Sequence, residues 1–280
     1  MCERGSVKLD DWSVSALAYQ HSLQRSDPLV YYQMPGTHNS AINEADGFGI
    51  EKYFMSALFG GQNFDQGDDV GEGLCQYLSV TDQLRMGVRH VEIDVWWGPV
   101  EKDIVVCHSP IPLYPVGNVS RTAEALGLDL EWHPAKMSCM GTKRMFRDVL
   151  GEVQAWLAAP GNEQEVLVLY IDTKFYLSPE QVTLANNEIL SVFGEAVWRA
   201  SEGSPLNVRV GDMLAKGKRV IVENQKECWV HPSEGDQVVF YPALWTHQFS
   251  AESLVEYPGC SVEGDAAWYG SQFVRALDGS

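Results

Sequence analysis

Val166-Leu167-Val168-Leu169-Tyr170-Ile171-Asp172-Thr173-Lys174 begins with six residues lacking any polar alternation and ends in an acid, a hydroxyl and a base. A strand with one wet face alternates apolar and polar side chains. An unbroken apolar run is expected where both faces are covered, as in a parallel sheet flanked by helices. Working outward, 29–34, 88–95, 104–107 and 219–222 are predicted as further strands, with 238–245 as a sixth. Helices fall between them. Phe146, Val149, Leu150, Val153, Trp156 and Leu157 follow a helical stripe that Pro160-Gly161 stops. A second helix opens on Ser178-Pro179-Glu180-Gln181, a cap residue, a proline at the first helical position and a capping-box glutamine. This alternation predicts an α/β fold, read as an irregular TIM-type (β/α) barrel in one domain over residues 1–280. Two features break the regularity. Only eight residues, 96–103, separate the second and third strands, too few for a crossover helix. The last 35 residues do not plainly supply two more strands.

Composition narrows the function classes. Twenty Lys plus Arg against 38 Asp plus Glu gives 20 − 38 = −18 over 280 residues, with 45% hydrophobic and 21% charged. Such a chain is globular, and its acidity argues against gripping nucleic acid, which needs a basic footprint. An anionic substrate held through a metal remains compatible. The cysteines at positions 2, 75, 107, 139, 228 and 260 form no CxxC motif, which removes zinc knuckles and thioredoxin chemistry. They are too sparse for a disulfide scaffold. The N-terminus MCERGSVKLDDWS has no apolar core and no run approaches 18 apolar residues, so a cytoplasmic or peripheral-membrane protein is expected. The sequon Asn118-Val119-Ser120 matters only on an exported chain.

Four short motifs carry chemistry. Pro35-Gly36-Thr37-His38-Asn39-Ser40 follows the first predicted strand, where a barrel keeps its active-site residues, and Gly36 is expected to make the tight turn. An ordinary turn with a hydrogen-bonded histidine is the alternative. In His90-Val91-Glu92-Ile93-Asp94-Val95-Trp96-Trp97, a spacing of two puts Glu92 and Asp94 on one face of a strand whose other face is covered by helices. Two buried carboxylates repel unless a cation or hydrogen-bond donors are near, and calcium or magnesium suits such oxygen ligands. Ile104-Val105-Val106-Cys107-His108 is a strand ending in histidine. Two imidazoles beside a metal suit phosphodiester cleavage, where one proton leaves a nucleophile and another reaches the leaving oxygen. Asp172 can complete the metal site and Lys174 can face a phosphate, with a solvated loop lysine as the plain alternative.

GTHNS, then DQLRMGVRHVEIDV, then a strand ending in His, then an apolar strand ending in an acid, together resemble the X region of phosphatidylinositol-specific phospholipase C over roughly residues 29–175. The acid in the second motif resembles the calcium-dependent branch; the metal-free bacterial enzymes carry an arginine there. The resemblance implies a PLC-like phosphodiesterase barrel lacking a helix after its second strand. It implies His38 and His108 as the catalytic pair, Asn39, Glu92, Asp94 and Asp172 as calcium ligands, and Glu92 or Asp172 as general base. It further implies release of diacylglycerol and a cyclic inositol phosphate, with transient membrane contact. His108 is followed by Ser109 where many relatives have glycine, and 110–142 is long. No second catalytic half, lipid-binding module or basic inositol-phosphate pocket is visible in the sequence. Glycerophosphodiester phosphodiesterase shares a Glu-x-Asp pair but starts with His-Arg-Gly, where this chain has His38-Asn39-Ser40. A lipid-binding homologue without turnover is the competitor of another class. The aromatic segment 53–60 suits either a membrane-dipping rim or a core helix.

Overall fold

A computed structural model of the chain describes residues 3–32, 34–48, 76–98, 101–107, 144–173, 177–224 and 238–240, together with the backbone of strands at 246–248 and 272–274. The apolar run at 166–171 becomes strand β4 (Leu167–Thr173), with only Asp172 half-buried. Its parallel neighbours are β2 (His90–Gly98) and β5 (Val220–Glu223). With β1 (Gly36–Thr37) and β6 (Val239–Phe240) the parallel order is β1-β2-β4-β5-β6, which establishes the α/β class. Among the described residues this path is open, ending at β1 and β6.

The two faces divide as the period of two requires. Val91, Ile93 and Val95, with Leu167, Leu169 and Ile171, pack with α3 (Phe146–Leu157) and α4 (Pro179–Phe193). Each such side chain contributes about 1.5–3 kcal/mol relative to leaving it in water. Helix α4 starts as its sequence predicts: Gln181 N–H donates to Ser178 Oγ (3.3 Å), and Ser178 N–H donates to Gln181 Oε1 (2.8 Å). The opposite face begins apolar, where Val168 and Ile221 pack with Leu29, Tyr32, Met34 and Trp198. Further along the strands it turns polar.

Two expectations need correction, and one irregularity finds its explanation. Among the described residues of 29–34 there is no strand; Leu29–Tyr31 is a 3-10 turn. Tyr31 and Tyr32 donate to the carbonyls of Pro28 and Leu29 (both 2.9 Å), so these amides are unavailable to a ladder. Leu29 and Tyr32, three apart, face the same apolar cluster. The eight-residue gap is resolved by direction, because β3 (Asp103–Val106) runs antiparallel to β2, with Val95 opposite Val106 and Gly98 opposite Asp103. A hairpin needs no crossover helix. The last 35 residues do contain two strands, β7 (Thr246–Gln248) and β8 (Gln272–Val274), parallel to each other in a separate sheet. The predicted strand at 238–245 is present as β6, and 241–245 lie outside the described residues.

The helix layer also contains a titrating contact. Glu188 of α4 faces Asp103 of β3 and Arg147 and Asp148 of α3, with its Oε2 buried and lacking a hydrogen-bond partner. Burial, and then the charge of Asp103, push its carboxyl up to about 7 against the partial opposition of Arg147. The raised value means that the folded chain keeps a proton the unfolded chain sheds. Its contribution to stability is therefore complete below pH 4.5 and lost as pH rises to about 7. Chemical denaturation across that window should show stability falling with pH, and Glu188→Gln should flatten the slope. An identical slope in the variant would assign the effect to another group.

No helix among the described residues is long and apolar enough to cross a membrane.

Candidate active site

Strand β2 is the spine of the site. Its even-numbered side chains turn away from the helices, leaving Asp94 fully buried and Glu92 nearly so. The parallel register sets Asp94 beside Asp172 and Glu92 beside Tyr170. Ligand oxygens of Glu92, Asp94 and Asp172 lie within 4.8 Å of one another, and no other such group of three occurs among the described residues. At 4.8 Å each charged pair costs roughly 3 kcal/mol at an effective dielectric of about 20. The cluster therefore calls for a cation, for protons or for hydrogen-bond donors. Calcium binds oxygen at about 2.3–2.6 Å, so ligands on opposite sides of one ion sit up to about 5 Å apart. The spread of the cluster and its hard oxygen donors fit such an ion.

The GTHNS motif meets this cluster through its backbone. Gly36 and Thr37 continue the sheet as β1, and the left-handed residue is Asn39 (φ 48°), not Gly36 as expected. Asparagine tolerates that region better than other side chains with a Cβ. The turn lets Asn39 N–H donate to Glu92 Oε2 (2.8 Å) and Ser40 N–H to the Glu92 carbonyl (3.0 Å). Ser40 Oγ accepts from Glu92 N–H (3.0 Å). His38 Nε2 then lies 3.8 Å from Glu92 Oε2, with its side chain 21% exposed. An imidazole thus stands beside the buried carboxylates while still reaching solvent.

Other residues hold this turn that sequence reasoning did not single out. Gln83 Nε2 donates to the carbonyls of Ser40 (2.9 Å) and Leu78 (2.7 Å), and its Oε1 accepts from Thr37 Oγ1 (2.6 Å). Gln76 Nε2 donates to the His38 carbonyl (2.8 Å). Farther along the same loop, Asp46 pairs with Arg144 and Arg4, and Arg144 pairs also with Glu152. Burial raises the Glu152 carboxyl, but the Arg144 guanidinium and the donors of Thr81 outweigh it and hold the group below the usual carboxylate range. The loop is therefore tied to α3 by charge-assisted contacts.

Beneath the carboxylates lies another polar layer. His90 Nε2 is 3.1 Å from Glu223 Oε1, both residues are fully buried, and His90 stacks with Tyr170. Glu223 closes the apolar strand Val220-Ile221-Val222, the same arrangement that drew attention to Asp172, and this signal was legible. Cys107 N–H donates to the Asp94 carbonyl (3.1 Å), and Cys107 is disulfide-bonded. His108, Lys174, the aromatic segment 53–60, the long stretch 110–142 and the sequon at Asn118 lie outside the described residues.

Comparison with known proteins adds to this geometry. Residues 52–123 match the model of the phosphatidylinositol-specific phospholipase C X domain. That span includes Glu92, Asp94 and His108, whereas His38, Asn39 and Asp172 fall outside it. Uncharacterized proteins of two Mycobacterium tuberculosis strains are each 27% identical over 290 residues, covering 97% of this chain. The chain spans about half the length of these curated relatives (50%). Among solved structures, phosphatidylinositol-specific phospholipase C from Listeria monocytogenes is similar over 82% of this chain and 65% of that chain, at 13% identity and a TM-score of 0.49.

Proposed function

We propose that this chain, whose residues 52–123 match the phosphatidylinositol-specific phospholipase C X domain, is a calcium-dependent phosphodiesterase that converts phosphatidylinositol-type lipids to diacylglycerol and a cyclic inositol phosphate. The observation carrying this reading is the convergence of Glu92, Asp94 and Asp172 within 4.8 Å, with His38 3.8 Å from Glu92. Glu92, Asp94, Asp172 and Asn39 would hold the cation. A calcium ion held there would lower the pKa of the inositol 2-hydroxyl and would offset the negative charge that develops at phosphorus.

The chain's own residues supply the remaining chemistry. Glu92 or Asp172 takes the proton of the 2-hydroxyl as its oxygen bonds to phosphorus. His38 donates a hydrogen bond to a non-bridging phosphoryl oxygen, beside the carboxylate edge that Asn39 N–H holds. The bond from phosphorus to the glycerol oxygen breaks, and His108 is assigned the proton that this oxygen receives. Lys174 is assigned to the phosphate. The disulfide at Cys107 favours an oxidising compartment over the cytoplasm that the N-terminal sequence suggested. Contact with membranes is transient in this reading, made to reach a lipid headgroup.

The deciding experiment is product analysis on phosphatidylinositol and on glycerophosphoinositol, each with calcium or with chelator. The expected result is cyclic inositol phosphate from the lipid, abolished by chelator and restored by calcium. Glycerol phosphate would point to glycerophosphodiesterase chemistry. Lipid binding without turnover would point to a binding homologue, and full activity in chelator would remove the metal from the mechanism.

A further inference from the structure

We infer that Asn224 is the positioning residue for Asp172, acting from the neighbouring strand; the inference rests on the reading of the carboxylate cluster as a cation site. Asn224 is fully buried and immediately follows Glu223, the last residue of β5. Its side-chain Nδ2 donates to the carbonyl of Ile171 and to Thr173 Oγ1 (3.0 Å). These acceptors precede and follow Asp172, so one amide grips β4 on both sides of the acid. Asn224 is itself anchored, because its N–H donates to the Phe240 carbonyl of β6 (3.0 Å).

The register explains the need for this grip. Pairing of β4 with β5 ends at Tyr170 opposite Glu223, two residues before Asp172, whereas pairing with β2 continues to Thr173. At the level of the acid, β4 is held by backbone on its β2 edge, and the Asn224 side chain continues the hold on its β5 edge. The cluster's other acids are fixed differently. Glu92 receives Asn39 N–H, and Asp94 lies mid-strand with Cys107 N–H on its carbonyl. Asp172 is the one half-buried member of the cluster, next to the last residue of its strand. Removing the amide takes one donor from the Ile171 carbonyl and one from Thr173 Oγ1, and loosens the β5 side of the end of β4. Loss of an outer hydrogen-bonding partner commonly weakens metal affinity by about 10- to 100-fold.

The test titrates calcium and terbium into the full chain by calorimetry and luminescence, with melting measured in chelator. Asn224→Ala is expected to bind calcium about 10- to 100-fold more weakly. Its melting temperature in chelator should fall by only the several degrees expected for two lost hydrogen bonds, and saturating calcium should restore most of kcat. Asn224→Leu, similar in size, uncharged and without the amide donors, should behave alike and serves as the measured variant if the alanine form does not fold. Wild-type affinity in the variant overturns the assignment, and so does failure of both variants to fold, since Asn224 would then serve the fold as a whole. If the wild-type chain binds no cation, the calcium reading fails separately. Asn224 is then judged on turnover: lower kcat at unchanged KM in a folded variant supports it, and unchanged kcat overturns it.

Discussion

Turnover of phosphatidylinositol is expected to fall by at least ~10²-fold in His38→Ala, the low end for removing a positioned proton donor or acceptor. The fold should be nearly unaffected, since the ring is part exposed and the turn is held by Gln76, Gln83 and Ser40 through its backbone. A substrate whose leaving group is an aryl alcohol separates this role from that of the leaving-group acid. Such a leaving group departs without protonation, so it should rescue a His108 variant while His38→Ala stays impaired, because the phosphoryl oxygen still lacks its donor. Near-wild-type turnover in His38→Ala would return that histidine to an ordinary turn residue.

Asp94→Asn should separate function from stability. Asp94 is fully buried between Glu92 and Asp172, and in the absence of a cation its charge is repelled by two neighbours at roughly 3 kcal/mol each, before any relief by protonation. Neutralising it should leave the melting temperature in chelator equal to or above wild type. Calcium affinity and turnover should each fall by at least ~10-fold and ~10²-fold, as expected for loss of a direct ligand from a site whose outer partners alone account for ~10–100-fold. This opposition is the mark of a residue kept for function at the expense of stability. A variant that melts far below wild type while binding calcium normally would make Asp94 a structural group.

Much of this arrangement follows from local pattern. The uninterrupted run at 166–171 announced a strand covered on both faces, and Leu167, Leu169 and Ile171 do meet the helices while Val168 meets the opposite apolar cluster. The spacing of Glu92 and Asp94 placed both on one face, since side chains alternate along any strand whatever its partners. Ser178, Pro179 and Gln181 marked the start of α4 because capping involves only neighbours in sequence. The expected strand at 29–34 failed for a tertiary reason, because an apolar run of that length serves equally as a turn that places Leu29, Tyr32 and Met34 in a core.

By itself the sequence determined the α/β class, the helix ends, the shared face of the paired carboxylates and the residue types of the site. Tertiary structure decided which of them meet. Periodicity encodes the face on which a side chain lies but not the register of the neighbouring strand, so Asp94 beside Asp172 could not be read from spacing, whereas the eight-residue gap already excluded a parallel β3. Long-range hydrogen bonds made the remaining choices. Asn39 N–H reaches Glu92 across 53 positions, and Asn224 reaches Ile171 across another 53. Such contacts leave no local trace, because the donor's identity is set by the unfilled acceptor that the folded chain presents to it.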